Sequence, residues 1–355
     1  MLVFYLIYFI STFSCLFLCK NKKVGMLLMF ILFLVLTFRG ENVGSDTIMY
    51  YNNDFNVDLE FSLTNKFEIS FQTISYFISE LNLNPRWCLY LLSALTFVFL
   101  YLSAKRYNKL FGTSYVCFFY FFFLLGFYSL AFNISRQLLA VSILLYAYSF
   151  LFENNIKKFY FIIYAILASS FHISSIIFIP LFFVNKLDFT KIPFKSVFSI
   201  LFVLFTFVVL FKSTILSFVT SRFSALQIYS TYVDDAVTSN KSIVGLLVDY
   251  LEFLMAMFIY YWLTKKLCHK TLSNLFLLSI LVDILLMALY GNIYRIRLGI
   301  TIFQVVAFAT CFTYNKSFNS NEKLIFYGTI VFLGYFVLSS LSNGAYDIIP
   351  YYFTL

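Results

Sequence analysis

FYFIIYAILASSFHISSIIFIPLFFV, residues 159–184, is an apolar run of about 26 residues with one histidine near its middle. Lys157 and Lys158 precede it and Lys186 follows it. Lysine concentrates on the cytoplasmic side of a membrane, so both ends of the run belong on one face. A single crossing would separate them, and two complete crossings need roughly 40 residues. The economical reading is a hairpin of two short helices over 159–184. Its apex, Ser169 to His172, reaches toward the outer leaflet. Irregular backbone at that depth is tolerated only where protein buries it or a wet cavity adjoins it.

The rest of the chain has the same character. Its 355 residues are 62% hydrophobic and 12% charged, with a mean hydropathy of +0.88, which excludes a soluble domain. Further apolar runs lie at about 2–19, 24–38, 87–104, 114–131, 134–152, 194–211, 243–264, 272–290, 298–314 and 324–342. The fold expected is an all-α polytopic membrane protein, one integral domain over 1–355. It has about ten transmembrane helices, the hairpin, and external loops at 39–86 and 212–242. The first run is read as a retained span rather than a signal peptide, since no basic residue precedes it and no small-residue cleavage pattern follows. Both termini then lie outside.

Within 39–86, Phe67, Phe71, Ile74, Ile78 and Leu81 would line one face of a short external helix, and Glu68, Gln72, Ser75 and Ser79 the other. That pattern predicts an amphipathic helix lying on the membrane. The net charge of +9 is the topology signal of a membrane protein, and no extramembrane basic domain exists to hold nucleic acid. The six cysteines lack metal or disulfide spacing and read as packing residues. Two histidines far apart make no histidine-rich metal site, so no cofactor or metal is expected.

On this topology fifteen of eighteen lysines are cytoplasmic, but six of seven arginines are external: Arg39, Arg86, Arg136, Arg222, Arg295 and Arg297. A rule that treats the two residue types alike does not explain that split. Arginine differs by a planar fork of donors that matches phosphate and never deprotonates. An outer cavity lined with it suits a polyanion such as a lipid pyrophosphate. Arg86, beside Trp87, and Arg222 also read as an interface anchor and a loop residue. Arg136 opens a helix whose Asn133, Gln137 and Ala140 share its small polar face, which implies burial against protein or water. In GNIYRIRLG, residues 291–299, Ile296 would aim Arg295 and Arg297 the same way if the piece is extended. His172 reads either as a satisfied structural residue or, at an outer apex beside these arginines, as a functional one. The intramembrane acids Asp249, Glu252 and Asp283 read as arginine partners or as a proton path.

Five stretches in order carry a family resemblance: RGENVGSDTIMYYNNDF (39–55), KFEISFQTISYFISELNLNP (66–85), SRQLLAVSILLYAYSFL (135–151), FHISSIIFIPLFF (171–183) and NIYRIRLGITIFQ (292–304). Together they resemble the EpsG-like branch of the Wzy-type polysaccharide polymerases. The resemblance implies a GT-C-like fold and an enzyme of O-antigen or capsule assembly in the bacterial cytoplasmic membrane. Such an enzyme transfers a growing glycan from undecaprenyl pyrophosphate to the next lipid-linked repeat unit at the outer face. The lipid-linked unit is both donor and acceptor, and a chain-length regulator is a candidate partner. Carried onto this chain, the matching positions are Arg39, Asp46, Arg136, His172, Arg295 and, more loosely, Arg297. His172 or Asp46 would be the general base and Arg136 would stabilise the leaving group. Arg39, Arg295 and Arg297 would bind pyrophosphate, and Tyr50 and Tyr51 sugar. The rival functions are a transporter or flippase of lipid-linked oligosaccharide and a membrane-bound acyltransferase. The concentration of unusual residues on one face and the absence of a visible repeat argue against the first.

Overall fold

The computed structural model describes residues 1–44, 47–51, 68–153, 155–212, 214–215, 218, 243–286, 295–314, 317–344, 348 and 351. Helices make up the described residues, with no β-strand element among them. The chain divides into two compact units, Met1–Ile179 with Phe308–Leu355, and Pro180–Ala307.

In the first unit the helices are α1 (Leu2–Phe17), α2 (Lys22–Thr37), α3 (Thr47–Tyr51), α4 (Ile69–Glu80), α5 (Arg86–Phe111), α6 (Tyr115–Leu124), α7 (Phe127–Leu130), α8 (Ser135–Tyr148), α9 (Asn155–Lys158) and α10 (Tyr160–Phe171). Local chemistry sets their ends. Asn21 Oδ1 accepts from the Lys23 and Val24 amides to start α2. The Ser114 hydroxyl accepts from the Cys117 amide to start α6. The core sits on α6, all ten of whose residues are buried, which makes it a helix apolar all round. It packs against α1, α2 and α5. Gly25 on α2 permits the closest approach, because a Cβ there would lie 2.6 Å from Tyr115 Cβ. Phenylalanine fills this core edge to face, as where Phe97 and Tyr128 both meet Phe122. Cys117 brings its sulfur within 3.6 Å of Cys15 and 3.2 Å of Cys19, although about a hundred residues separate them in sequence.

The 114–131 run, expected as one span, is two helices. Leu125 ends α6, Gly126 takes φ +79, and α7 follows. At ten residues α6 is about 15 Å long, half a hydrocarbon core. By contrast α5 continues through Lys105, Arg106 and Lys109 beyond the 87–104 run, to Phe111. In the 159–184 run, α10 ends at Phe171 and His172 takes an extended backbone (φ −157, ψ 113), at the position read as the hairpin apex. The Ser169 and Ser170 hydroxyls bond back to the Ala165 and Leu167 carbonyls and loosen that last turn. A 3₁₀ helix, Ile173–Lys186, follows.

The second unit holds α11 (Phe194–Leu210), α12 (Ile243–Trp262), α13 (Lys270–Leu286) and α14 (Leu298–Thr301). Phe205 stacks on Phe253 at 4.9 Å, joining α11 to α12, and Asn274 on α13 donates to the Leu187 carbonyl at 2.8 Å. α15 (Phe303–Thr313) runs from this unit into the first. There Phe308 and Phe312 reach Phe121 of α6, beside α16 (Ser320–Ser342).

Among the described residues, three segments are long and apolar enough to cross a membrane: Arg86–Phe111, Ser135–Phe152 and Ser320–Ser342. Shorter apolar helices accompany them. Their outward faces are apolar: Leu2 is 73% exposed, Val203 66% and Tyr335 72%. Such faces are stable against lipid and not against water. The chain is a multi-pass all-α membrane protein.

Candidate active site

Three stretches far apart in sequence meet in the first unit: residue 68 at the start of α4, residue 136 in the first turn of α8, and residue 172 just past α10. α10 packs against both α4 and α8, and a hydroxyl bond from Ser70 to Ser170 (2.6 Å) fixes α4 on the end of α10. At the centre is Glu68. Its Oε1 is 2.9 Å from His172 Nδ1 and accepts from the Ile173 amide at 3.4 Å, while its Oε2 accepts from Arg136 Nη1 at 3.0 Å. The Arg136 guanidinium also lies over the Phe71 ring, 4.8 Å from its centroid. Side-chain exposures are 16% for Glu68, 27% for Arg136 and 30% for His172, so the cluster is half-buried but open on one side.

Burial alone would raise the Glu68 pKa. The His172 hydrogen bond and the Arg136 charge outweigh it and hold the carboxyl below its ordinary value. An ionised carboxylate only accepts hydrogen bonds, so the His172 Nδ1 facing it carries the proton. That tautomer leaves the Nε2 lone pair as the basic atom of the ring. The arrangement can therefore take a proton at His172 Nε2 and present a guanidinium to an anion nearby.

Arg39 reaches the residue next to Arg136. It is 1% exposed, and its three nitrogens donate to Thr47 Oγ1 (2.9 Å), the Leu36 carbonyl (3.4 Å) and Ser135 Oγ (3.0 Å). Its guanidinium also covers the Phe132 ring at 5.3 Å. Gly44 makes this turn possible, with φ +90 and a position where a Cβ would meet the Phe132 carbonyl oxygen at 2.5 Å. Arg39 thus ties the turn after α2 to the residue preceding Arg136. Tyr50 on α3 is buried, its ring edge-on to Phe71 at 6.0 Å.

Of the residues expected at the site, Arg136 and His172 come together on Glu68, with Arg39 and Tyr50 packed behind them. Asp46 lies outside the described residues, as do Arg222 and the side chain of Tyr51. Arg295 and Arg297 belong to the second unit. There residues 295 and 296 are helical rather than extended, so the two arginines diverge around the helix instead of pointing the same way. Arg295 is exposed, and Arg297 forms an ion pair with Asp283. Arg136 pairs with Glu68, a residue that the helical pattern sets on an outer polar stripe, and of the intramembrane acids Asp283 pairs with Arg297. The helix exists at Ile69–Glu80, with Phe71 and Ile78 of the expected apolar face buried, but Gln72 of the expected polar face is buried as well, at 5% exposure, and Leu81 is exposed. The signal available in the sequence is the stripe of four polar residues itself, which suits a protein neighbour as well as a lipid surface.

The site and the lysines occupy opposite ends of the same helices. α5 runs from Arg86, beside α4, to Lys105 and Lys109, and its 26 residues span about 39 Å. α10 runs in the opposite sense, from just after Lys157 and Lys158 of α9 to His172.

A family model describing the EpsG family matches residues 22–353, and the chain belongs to that family. It is a family associated with Wzy-type polysaccharide polymerases. No curated protein matches the chain, and no solved structure does.

Proposed function

We propose that this protein is a polysaccharide polymerase acting on undecaprenyl-pyrophosphate-linked glycans at the outer face of the bacterial cytoplasmic membrane. The observation that carries the reading is the single carboxylate joining Arg136 to His172 at the ends of α8 and α10 remote from the lysines. Family membership supports the same class of reaction. In this reading about ten crossings, with a hairpin over 159–184, set that end outside.

Glycosyl transfer from a lipid pyrophosphate needs a base for the acceptor hydroxyl and fixed positive charge for the leaving group. The acceptor proton moves to His172 Nε2 as the acceptor oxygen bonds to the anomeric carbon. The bond from that carbon to the pyrophosphate breaks, and the electron pair leaves with the pyrophosphate. Arg136 meets the charge that develops there. A positioned base contributes about two to four orders of magnitude in rate. Asp46 is the alternative base, and Arg295, Arg297, Tyr50 and Tyr51 remain candidates for holding substrate. Arg39, buried under Arg136, serves by placing the start of α8. O-antigen and capsule are equal destinations for the product, and a chain-length regulator is its candidate partner.

The test is Arg136→Lys in a complemented deletion strain, with protein level in membranes and the surface glycan ladder read together. Normal protein with single repeat units only is the expected result, because an ammonium lacks the planar fork. An unchanged ladder would remove Arg136 from the chemistry. Loss of single units from the outer leaflet would instead assign export, the flippase reading.

A further inference from the structure

Glu68 has a place in no sequence expectation about the chemistry, yet it is the group on which Arg136 and His172 converge. We infer that Glu68 is a positioning residue with two states. It holds the Nδ1–H of His172 throughout the reaction, and it occupies Arg136 only until the donor's pyrophosphate takes that guanidinium. The inference rests on the polymerase reading above.

The two oxygens of Glu68 have separate duties, so one contact can break while the other persists. Oε1 serves His172 and the Ile173 amide, both just past α10, and the neighbouring Ser70 bonds Ser170 on α10 itself. This start of α4 is therefore fastened to the α10 end. Oε2 reaches across to α8 through the Arg136 pair. Phe71 supports the guanidinium from its face, which keeps Arg136 in place when its edge changes partners. A carboxylate and a phosphate present the same acceptor geometry to that edge, and the pyrophosphate carries more charge.

The exchange has a geometric consequence. Once pyrophosphate takes Arg136, the Glu68 carboxylate serves His172 and the Ile173 amide alone, so the ring keeps its Nδ1–H contact while the donor is held. The charged groups on elements packed against α10 are Glu68 and Glu80 on α4, Arg136 on α8, and Lys157 and Lys158 on α9. Glu80 is about 18 Å along α4 from Glu68, and the lysines are at the far end of α10. Among the described residues of these elements, Glu68 and Arg136 are the charged groups at the His172 end.

The experiment compares the full-length wild type with Glu68→Gln and Glu80→Gln in detergent, using inorganic pyrophosphate binding and polymerisation of lipid-linked repeat units. Glu68→Gln is expected to bind pyrophosphate about threefold to tenfold more tightly, since Arg136 loses its competitor. It is expected to polymerise about tenfold to a hundredfold more slowly, since His172 loses its orienting anion. Glu80→Gln should match the wild type in both. A merely structural Glu68 would weaken binding and rate together, and that outcome overturns the inference. So does unchanged pyrophosphate affinity in Glu68→Gln. If Glu68→Gln does not fold, Glu68→Asp keeps the charge but not the reach to both partners. Tighter pyrophosphate binding with slower polymerisation is again expected of it, and weaker binding overturns the inference. Arg136→Ala separates the two levels of the argument. If it binds pyrophosphate as the wild type does, the donor-site reading itself fails. If it loses binding while Glu68→Gln gains none, only the role of Glu68 fails.

Discussion

Two arginine–glutamate pairs stand at opposite ends of the rod formed by α8 and the 3₁₀ turn Ser149–Phe152 that continues it, and both measure 3.0 Å. Arg136 pairs with Glu68 at one end, and Arg106 of α5 pairs with Glu153 at the other. Exposures are similar, and each guanidinium lies over a phenylalanine, Phe71 at 4.8 Å and Phe150 at 4.0 Å. The difference is in the remaining partners. Arg106 Nε donates to Ser149 at 2.6 Å, so this pair and its hydroxyl pin α5 to the end of α8. The Glu68 carboxylate is shared instead with an imidazole. An ion pair of good geometry is therefore not a site by itself. A second titratable group on the same carboxylate separates the two pairs, and the proposed proton transfer rests on that difference.

Replacing His172 by Gln should break the comparison most strongly. The expected result is a loss of about two to four orders of magnitude in polymerisation rate, with membrane levels of the protein unchanged. Residual activity near wild type would move the base elsewhere, to Asp46 first.

A smaller effect, and one on stability, is expected for Arg39→Met. A fully buried guanidinium with three hydrogen bonds is lost, which costs roughly 2–4 kcal/mol. The melting temperature of the detergent-solubilised protein should fall, and any protein that remains folded should turn over more slowly, because Ser135 and the start of α8 lose their tether. A melting temperature equal to the wild type would show that Arg39 is not a support.

Smallest is Arg106→Gln. The pair is about a quarter exposed, and removing it should cost on the order of 1 kcal/mol or less. Glycan chain length should not change, and surface polymer should follow protein abundance alone. A shift in chain length at constant abundance would erase the distinction between the two ends.

The apolar runs were legible because a helix in lipid satisfies its own backbone and must be apolar over most of its length. Hydropathy therefore located the helices to within a few residues where packing was ordinary. It missed the break at Gly126, where a turn at positive φ interrupts an apolar run that composition reads as continuous. The arginines were legible as unusual, since charge in or beside a membrane needs a reason. Their partners were not. Asp283 and Arg297 lie close in sequence, and that pair was within reach of a reading by neighbourhood. Glu68 and Arg136 are 68 residues apart, and only the docking of α4 on α10 joins them.

By itself, then, the sequence determined the class of the molecule, the rough course of its helices and the residue types available for chemistry, because hydropathy and charge are local properties that a bilayer enforces residue by residue. Tertiary structure alone decided which face of α4 turns inward, that Arg39 is buried beneath Ser135 rather than presented, and that one carboxylate serves both Arg136 and His172. A helix pattern specifies two faces but not their neighbours, and the neighbours are chosen by the simultaneous packing of segments far apart along the chain.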